Sequence, residues 1–187
     1  MSIPTGWWTN VSTHRKRVYS ILAVLVVCVI VMGLGSLVPV DQQTAKQIDS
    51  QLNQTRETLS AQGNLTPYIF GNNFLICLLM FIPLIGPLAG LFILFSTGVA
   101  ISAIATAEGY PSWLAFISLF LSPHSWLEFA AYATAMAAGV WLFWRFIKGR
   151  KRGFQELRVT CIFITICALL LALAAFVEVG LISLLGG

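Results

Sequence analysis

Two side chains in this sequence have the types and spacing that suit chemistry: His124 and Glu128, four residues apart. They follow Pro123 inside an otherwise apolar run from Tyr110 to Phe146. On a helix that begins at Pro123, positions four apart share one face and lie within contact distance. Ionisable side chains are rare in hydrocarbon, where they face a protein interior or a water-filled cavity. This segment is therefore the first candidate for a functional site.

A histidine–carboxylate pair in a poorly hydrated place has more than one use. It could relay protons, clamp a substrate, or hold the proline break in one geometry. The structural interpretation, which we prefer, is that Glu128 satisfies His124 and nearby backbone donors at the break. A metal site is not expected, because the sequence around the pair offers no third or fourth ligand.

Two consecutive amides open an earlier apolar stretch. Asn72 and Asn73 follow Gly71, and amide side chains in hydrocarbon seek hydrogen-bonding partners on other helices. A hydrogen bond to the proline break is the preferred interpretation, and a polar cavity lined by both amides is the alternative. The candidate polar cluster thus consists of Asn72, Asn73, Pro123, His124 and Glu128.

Composition places the chain in the membrane. Of its 187 residues, 58% are hydrophobic and 10% are charged, whereas soluble domains carry about 25% charged residues. The sequence predicts a single all-helical membrane domain over residues 1–187. It contains no phosphate loop, dinucleotide fingerprint or catalytic triad. We therefore assign no catalytic residue, cofactor or nucleic-acid partner, and enzyme activity is not the expected function.

Apolar stretches of suitable length predict five membrane crossings. About 30 Å of hydrocarbon requires roughly 20 helical residues. The sixth apolar stretch, Trp113–Leu121, would form only about 14 Å of helix and is predicted to enter the bilayer and turn back at Ser122 and Pro123. The polar segment 41–67 is predicted to be an external loop, either solvated or folded into a short amphipathic helix. The five predicted crossings are Val18–Val40, Tyr68–Leu84, Leu88–Ala107, His124–Ile147 and Leu157–Val177.

Positive charge predicts the orientation, because cytoplasmic ends of spans carry excess Lys and Arg. Basic residues concentrate before residue 18 and in the 148–158 turn. Both places are cytoplasmic if an even number of crossings separates them, and the count above gives four. The N-terminal segment 1–17 is then cytoplasmic and the C-terminus external. The basic run sets this orientation and contacts lipid head groups; it consists of Lys148, Arg150, Lys151 and Arg152.

Small residues recur at four-residue spacing along two predicted spans. Gly86 and Gly90 form one such pair, and Ala131, Ala135 and Gly139 form a longer series. Such spacing lets helix backbones approach closely. It fits packing within the chain and equally a homo-oligomer. Membrane lipids, other membrane proteins and further copies of the chain are the expected partners.

Three segments in the same order resemble the stage II sporulation protein M family of membrane proteins. Residues 69–73 (Ile-Phe-Gly-Asn-Asn) resemble its paired-Asn opening, and Phe81–Gly90 followed by residues 96–98 (Ser-Thr-Gly) resembles its Gly-rich span. Residues 123–128 (Pro-His-Ser-Trp-Leu-Glu) resemble its Pro-His-Gly-x-x-Glu signature. The resemblance covers about residues 65–180. It implies a multi-span helical protein, non-enzymatic, that assembles with partners.

Three functions are weighed from these observations. The leading hypothesis is a scaffold or assembly subunit of a membrane complex, in which the Pro-His-Glu element stabilises the fold. The second is a small transporter or channel with His124, Glu128, Asn72 and Asn73 around a site near the membrane midplane. The third, a membrane-embedded hydrolase, is weak because the sequence supplies no recognisable nucleophile or metal set.

Overall fold

The computed structural model describes residues 12–185 of the chain, and within that range it contains seven helices and no strand. The first eleven residues of the predicted N-terminal segment lie outside the described part. The helices are α1 (Thr13–Ser36), α2 (Gln42–Ala61), α3 (Leu65–Met80), α4 (Ile85–Glu108), α5 (Ser112–Leu119), α6 (Pro123–Ile147) and α7 (Arg150–Leu185).

Four of these helices are long and apolar enough to cross a membrane. They are α1, α4, α6 and the Lys151–Leu184 portion of α7. Helix α3 is also apolar but has 16 residues, which is about 24 Å of helix. The prediction of an all-helical membrane protein is confirmed for the described residues.

The polar segment after α1 folds as helix α2, which the sequence analysis had left open between a helix and a loop. Asp41 is its N-cap, and its carboxylate accepts hydrogen bonds from the backbone N–H groups of Gln43 at 3.1 Å and Thr44 at 3.0 Å. These bonds satisfy two of the donors that a helix N-terminus leaves unpaired. Helix α2 packs against α4. Residues 51–58 are all exposed.

A tight turn joins α3 to α4. Pro83 lies in the turn, and Leu84 adopts a left-handed conformation with φ of 68°. A Cβ on Gly86 would lie 2.5 Å from the carbonyl oxygens of Leu79 and Met80. The glycine is therefore needed for α4 to begin this close to the end of α3.

The predicted break at Ser122 and Pro123 separates α5 from α6. Pro123 lies in the first turn of α6, where its missing N–H is not needed. Ser122 occupies the N-cap position, but its side chain makes no capping hydrogen bond. The corner is closed instead by Trp126, whose indole N–H donates to the Phe120 carbonyl at 2.9 Å.

Small residues bring the long helices into backbone contact. A Cβ on Gly35 of α1 would overlap the Phe95 carbonyl of α4, and one on Gly98 would overlap the Met32 carbonyl. On α6, Ala131 and Ala135 are fully buried. The small-residue spacing therefore serves packing within this chain.

Candidate functional site

A polar cavity of about 270 Å³ lies between α3, α4, α6 and α7, with single contributions from α1 and α5. Its size exceeds the roughly 15 Å³ that one buried water requires. The cavity is lined by both polar and apolar side chains. They are Met32, Tyr68, Ile69, Asn72, Asn73, Leu94, Thr97, Leu119, His124, Ser125, Glu128, Phe129, Tyr132 and Glu178.

The first turns of α6 supply one wall. His124, Glu128 and Tyr132 are spaced four residues apart, so they stand on one face of the helix. The break at Pro123 fixes where this face starts, because the helix cannot extend backward through the proline. The sequence analysis correctly placed His124 and Glu128 on a common face, and the structure adds Ser125 and Tyr132.

The opposite wall comes from α3. Asn72 and Asn73 both line the cavity, and the side-chain amide of Asn73 donates a 2.7 Å hydrogen bond to Oε1 of Glu128. This contact joins residues 55 positions apart in the sequence. At 2.7 Å between nitrogen and oxygen, this is a short N–H···O hydrogen bond. It holds the carboxylate of Glu128 toward α3.

The preferred role of Glu128 as the partner of His124 is not what the structure contains. Within residues 12–185, Glu128 is bonded to Asn73, and the Nδ1 atom of His124 is buried without a hydrogen-bond partner. The hydroxyl of Ser125 is also buried and unpartnered. Two polar atoms beside the cavity thus retain hydrogen-bonding capacity, which a bound solute or water would use.

A second carboxylate reaches the cavity that the sequence analysis did not place there. Glu178, near the end of α7, lines the cavity with Glu128. Helices α6 and α7 pack as an antiparallel pair, so the start of one lies near the end of the other. The sequence offered an indication of this proximity, because the five predicted crossings place residues 128 and 178 on the same side of the membrane.

The side chains around the cavity do not form a metal-ligand set. Among the described residues there is no group of three or more His, Cys, Asp or Glu side chains close enough to hold a metal ion. The oxygen atoms available are two carboxylates with amide and hydroxyl groups. Hard monovalent cations and ammonium groups suit such a set better than transition metals.

A family model described as stage II sporulation protein M matches residues 20–181. The match begins within α1, ends within α7 and includes every residue lining the cavity. The chain belongs to the stage II sporulation protein M family. No curated protein matches it, and no solved structure matches it. The resemblance inferred from the paired asparagines and the Pro-His element is thereby confirmed and extended into α1.

In this family member, a second cavity of about 290 Å³ adjoins the first on the α2 side. The two cavities share Tyr68, Ile69 and Glu178 as lining residues. The second cavity also contains the carboxylates of Asp49 and Glu108 and the guanidinium of Arg56. Three carboxylates against one guanidinium make this neighbouring cavity net acidic.

The other end of the same helices contains an ion-pair network in this stage II sporulation protein M family member. Glu156 of α7 is buried, and its Oε1 atom lies 2.6 Å from Nη1 of Arg17. Its Oε2 atom accepts a 2.7 Å hydrogen bond from Nη2 of Arg17 and lies 3.7 Å from Nε of Arg145. Both guanidinium groups lie over the ring of Trp141, at 5.2 Å and 5.6 Å from its centroid. The sequence analysis missed this network because it read these arginines only as orientation signals.

The predicted basic run lies at this end too. Lys148 follows α6 and lies 4.8 Å from the centroid of the Trp144 ring. Lys151 and Arg152 are exposed on the first turn of α7. The backbone of Arg150 begins that helix, and its side chain lies outside the described part. This basic end and the acidic cavities therefore lie at opposite ends of the α6–α7 pair.

Proposed function

We propose that this protein is a small membrane transporter or channel that holds a monovalent cation in the cavity between α3, α4, α6 and α7. The observation that carries the proposal is the convergence of Glu128 and Glu178 on one cavity. Two carboxylates near each other in a poorly hydrated space repel strongly, and a cation between them removes that repulsion. The scaffold role that was the leading hypothesis from sequence becomes the second candidate.

The neutral groups support a cation that keeps part of its water. The side-chain oxygen atoms of Asn72 and Thr97 line the same cavity. A volume of about 270 Å³ is more than a bare ion fills, so several waters or a compact organic ammonium would fit. The unpaired Nδ1 of His124 would accept a hydrogen bond from such a water when it carries no proton.

The proposed topology has five crossings and one re-entrant half-helix. Helix α5 has eight residues, about 12 Å of helix, so it would enter the bilayer and return through the break before Pro123. Helix α3 would be the short fifth crossing. Irregular backbone at membrane depth is tolerated where it borders protein or a wet cavity. The N-terminus would be cytoplasmic and the C-terminus external in the cell membrane.

Access would come from the α2 side. The net acidic cavity beside α2 shares Glu178 with the inner cavity. A cation would meet Asp49 and Glu108 first, then Glu178, and then Glu128. Acidic lining raises the local concentration of cations, which favours entry by this route.

Reconstitution tests the transport proposal directly. Purified protein in liposomes is expected to give saturable uptake of at least one of sodium, potassium, rubidium or tetramethylammonium. We expect Glu128→Gln and Glu178→Gln each to lower this uptake by at least ten-fold. Glu57→Gln, at an exposed position on α2, is the matched control and should leave it unchanged. Uptake no greater than in empty liposomes, from protein that elutes as a folded species, would overturn the proposal.

The orientation has its own test. Residues 53–55 (Asn-Gln-Thr) form an acceptor site for N-glycosylation, and Asn53 is exposed on α2. Translation into microsomes should add a glycan to Asn53 in the wild type but not in Asn53→Gln. An acceptor site introduced at residues 149–151 should stay unmodified. The opposite pattern would reverse the proposed orientation.

The second candidate function is a scaffold or assembly subunit, which the exposed face of α2 favours. Eight consecutive residues, 51–58, are exposed there on an otherwise apolar protein, and they offer a polar surface to a partner outside the bilayer. Purification from native membranes should then yield a stoichiometric partner or homo-oligomer that Gln51→Ala with Gln54→Ala releases. A monomer with cation-dependent flux would instead support transport alone.

A further inference from the structure

A cleft of about 500 Å³ lies between the start of α1 and the end of α6, away from both acidic cavities. Helix α1 contributes Lys16 and Ser20, which lie one turn apart. The other wall comes from the last turns of α6 and from Lys148, which directly follows that helix. No carboxylate lines the cleft within the described residues. The lining residues are Thr13, Lys16, Ser20, Val140, Trp141, Trp144, Arg145 and Lys148.

The charge at the cleft is strongly positive. Among the described residues, Glu156 is the carboxylate paired with Arg145, and Arg17 lies much closer to it. One negative charge thus stands against two guanidinium groups. Lys148 adds a further positive charge on the cleft wall, where Lys16 also lies. Arg17, Arg145 and Lys148 against Glu156 give a local sum of +2, and an anion bound here would relieve the mutual repulsion.

Two of the cationic groups, those of Arg145 and Lys148, are held against indole rings. The indole N–H of Trp141 donates to the hydroxyl of Ser20 at 3.1 Å, and that hydroxyl donates to the Lys16 carbonyl at 2.8 Å. Arg145 lies over the ring of Trp141, and Lys148 lies over the ring of Trp144. A binding site whose charges are already ordered loses less entropy when the ligand arrives.

The surroundings of the cleft indicate what kind of anion it takes. Val140 and Trp144 line the cleft and are 50% and 52% exposed. These apolar side chains belong to α6, which is apolar enough to span a membrane. An occupant with both a negative head and an apolar tail satisfies both parts of this surface.

We propose that this cleft binds the phosphate head group of an anionic phospholipid, with an acyl chain lying against Val140 and Trp144. Basic pockets between membrane helices suit such head groups. The proposal assigns Lys16, Arg145 and Lys148 to lipid binding, which the sequence analysis had given to the run from Lys148 to Arg152. It is independent of the cation site.

Native mass spectrometry of the purified full-length protein tests the proposal. Phosphatidylglycerol is added, with phosphatidylcholine of the same acyl chains as the comparison. We expect at least ten-fold tighter retention of phosphatidylglycerol. Lys16→Gln with Lys148→Gln should reduce that retention at least ten-fold, because each basic residue near a lipid surface contributes about 1 kcal/mol. Lys46→Gln removes an exposed charge from α2 and should leave the retention of phosphatidylglycerol unchanged.

Further measurements distinguish binding of the lipid from binding of a free anion, and a loss of binding from a loss of folding. Inorganic phosphate and glycerol 3-phosphate at millimolar concentration should fail to displace the lipid. Displacement by either would overturn the lipid as occupant. Equal retention of both lipids, or equal loss in the α2 control, would overturn the site. If the double variant does not elute as a folded species, Lys148→Gln alone, at an exposed helix end, gives the same comparison.

Discussion

Asn73 on α3 donates a 2.7 Å hydrogen bond to Glu128 on α6, and so ties together two helices separated by 55 positions in the chain. The acceptor belongs to the Pro-His-x-x-x-Glu element, and the donor belongs to the paired asparagines. Two of the three segments that resemble the family thus meet at one contact. That contact also forms one wall of the polar cavity.

Removing the amide should destabilise the bundle. We expect Asn73→Ala to lower the free energy of unfolding by about 1–3 kcal/mol, because it leaves the part-buried Glu128 carboxyl without its hydrogen-bond partner. Asn72→Ala is the matched control, since Asn72 lines the same cavity but is exposed and makes no recorded hydrogen bond. Denaturant unfolding in detergent measures both. Equal effects of the two substitutions would contradict a specific role for the Asn73–Glu128 bond.

Breaking the ion-pair network should cost more. Glu156→Gln would leave the guanidinium groups of Arg17 and Arg145 without a carboxylate, and removing one partner of a buried pair costs about 3–5 kcal/mol. Arg17→Gln should be more destabilising than Arg145→Gln, because Arg17 makes the shorter contacts. Glu57→Gln, on exposed α2, serves as the control. The expected order is read from thermal unfolding midpoints, and a reversed order of the two arginines would refute this account.

Close helix contact predicts opposite effects for two kinds of glycine. Gly98→Ala and Gly35→Ala would push a methyl group into the facing backbone, so we expect losses of several kcal/mol or failure to fold. Gly71→Ala has nothing within 4 Å of the added carbon. It should raise stability by up to about 1 kcal/mol, because alanine favours a helix more than glycine does. Yield and unfolding midpoint distinguish the cases, and tolerance of Gly98→Ala would argue against the α1–α4 contact.

The stability of α2 should depend on pH through Asp41. Hydrogen bonds from the Thr44 side chain and from the Thr44 and Gln43 backbone hold the pKa of this carboxyl below its ordinary value of 3.8. Because the pKa of Asp41 is lower in the folded state, the stability that its ionised carboxyl gives to α2 is fully present above about pH 4. This stability is lost as the pH falls through the folded-state pKa. Amide exchange in α2 should therefore be unchanged between pH 7 and pH 4 after correction for the intrinsic rate.

Asp41→Ala should mimic the acidic state at neutral pH. Loss of an N-cap is expected to speed exchange in the first turn of α2 roughly five-fold, while α4 stays protected. Asp49→Ala, in the middle of α2, is the comparison. An unchanged first turn in Asp41→Ala would show that packing against α4 holds the helix start by itself.

Sequence reasoning located the elements better than the contacts between them. The short stretch before Pro123 predicted α5, and the lengths of the apolar stretches predicted the long helices, because local sterics and burial decide those features. Of the residues that it grouped, Asn73, His124 and Glu128 line one cavity. It gave Glu128 the wrong partner, because the rotation of α3 relative to α6 determines which side chains meet.

Charged residues near helix ends were the other source of error. Glu178 and Glu156 were not assigned a role, although each lies at a place where two helix ends come together. Their importance depends on the antiparallel packing of α6 and α7. A single sequence indicates such packing only indirectly, because an odd or even number of predicted crossings tells which helix ends lie on the same side of the membrane.

Helix α7 runs without interruption from Arg150 to Leu185, which is about 54 Å of helix. It carries Glu156, which is paired with Arg17, near one end and Glu178, which lines the cavity, near the other. A displacement of this helix along its axis that broke the pair with Arg17 would therefore move Glu178 by the same distance.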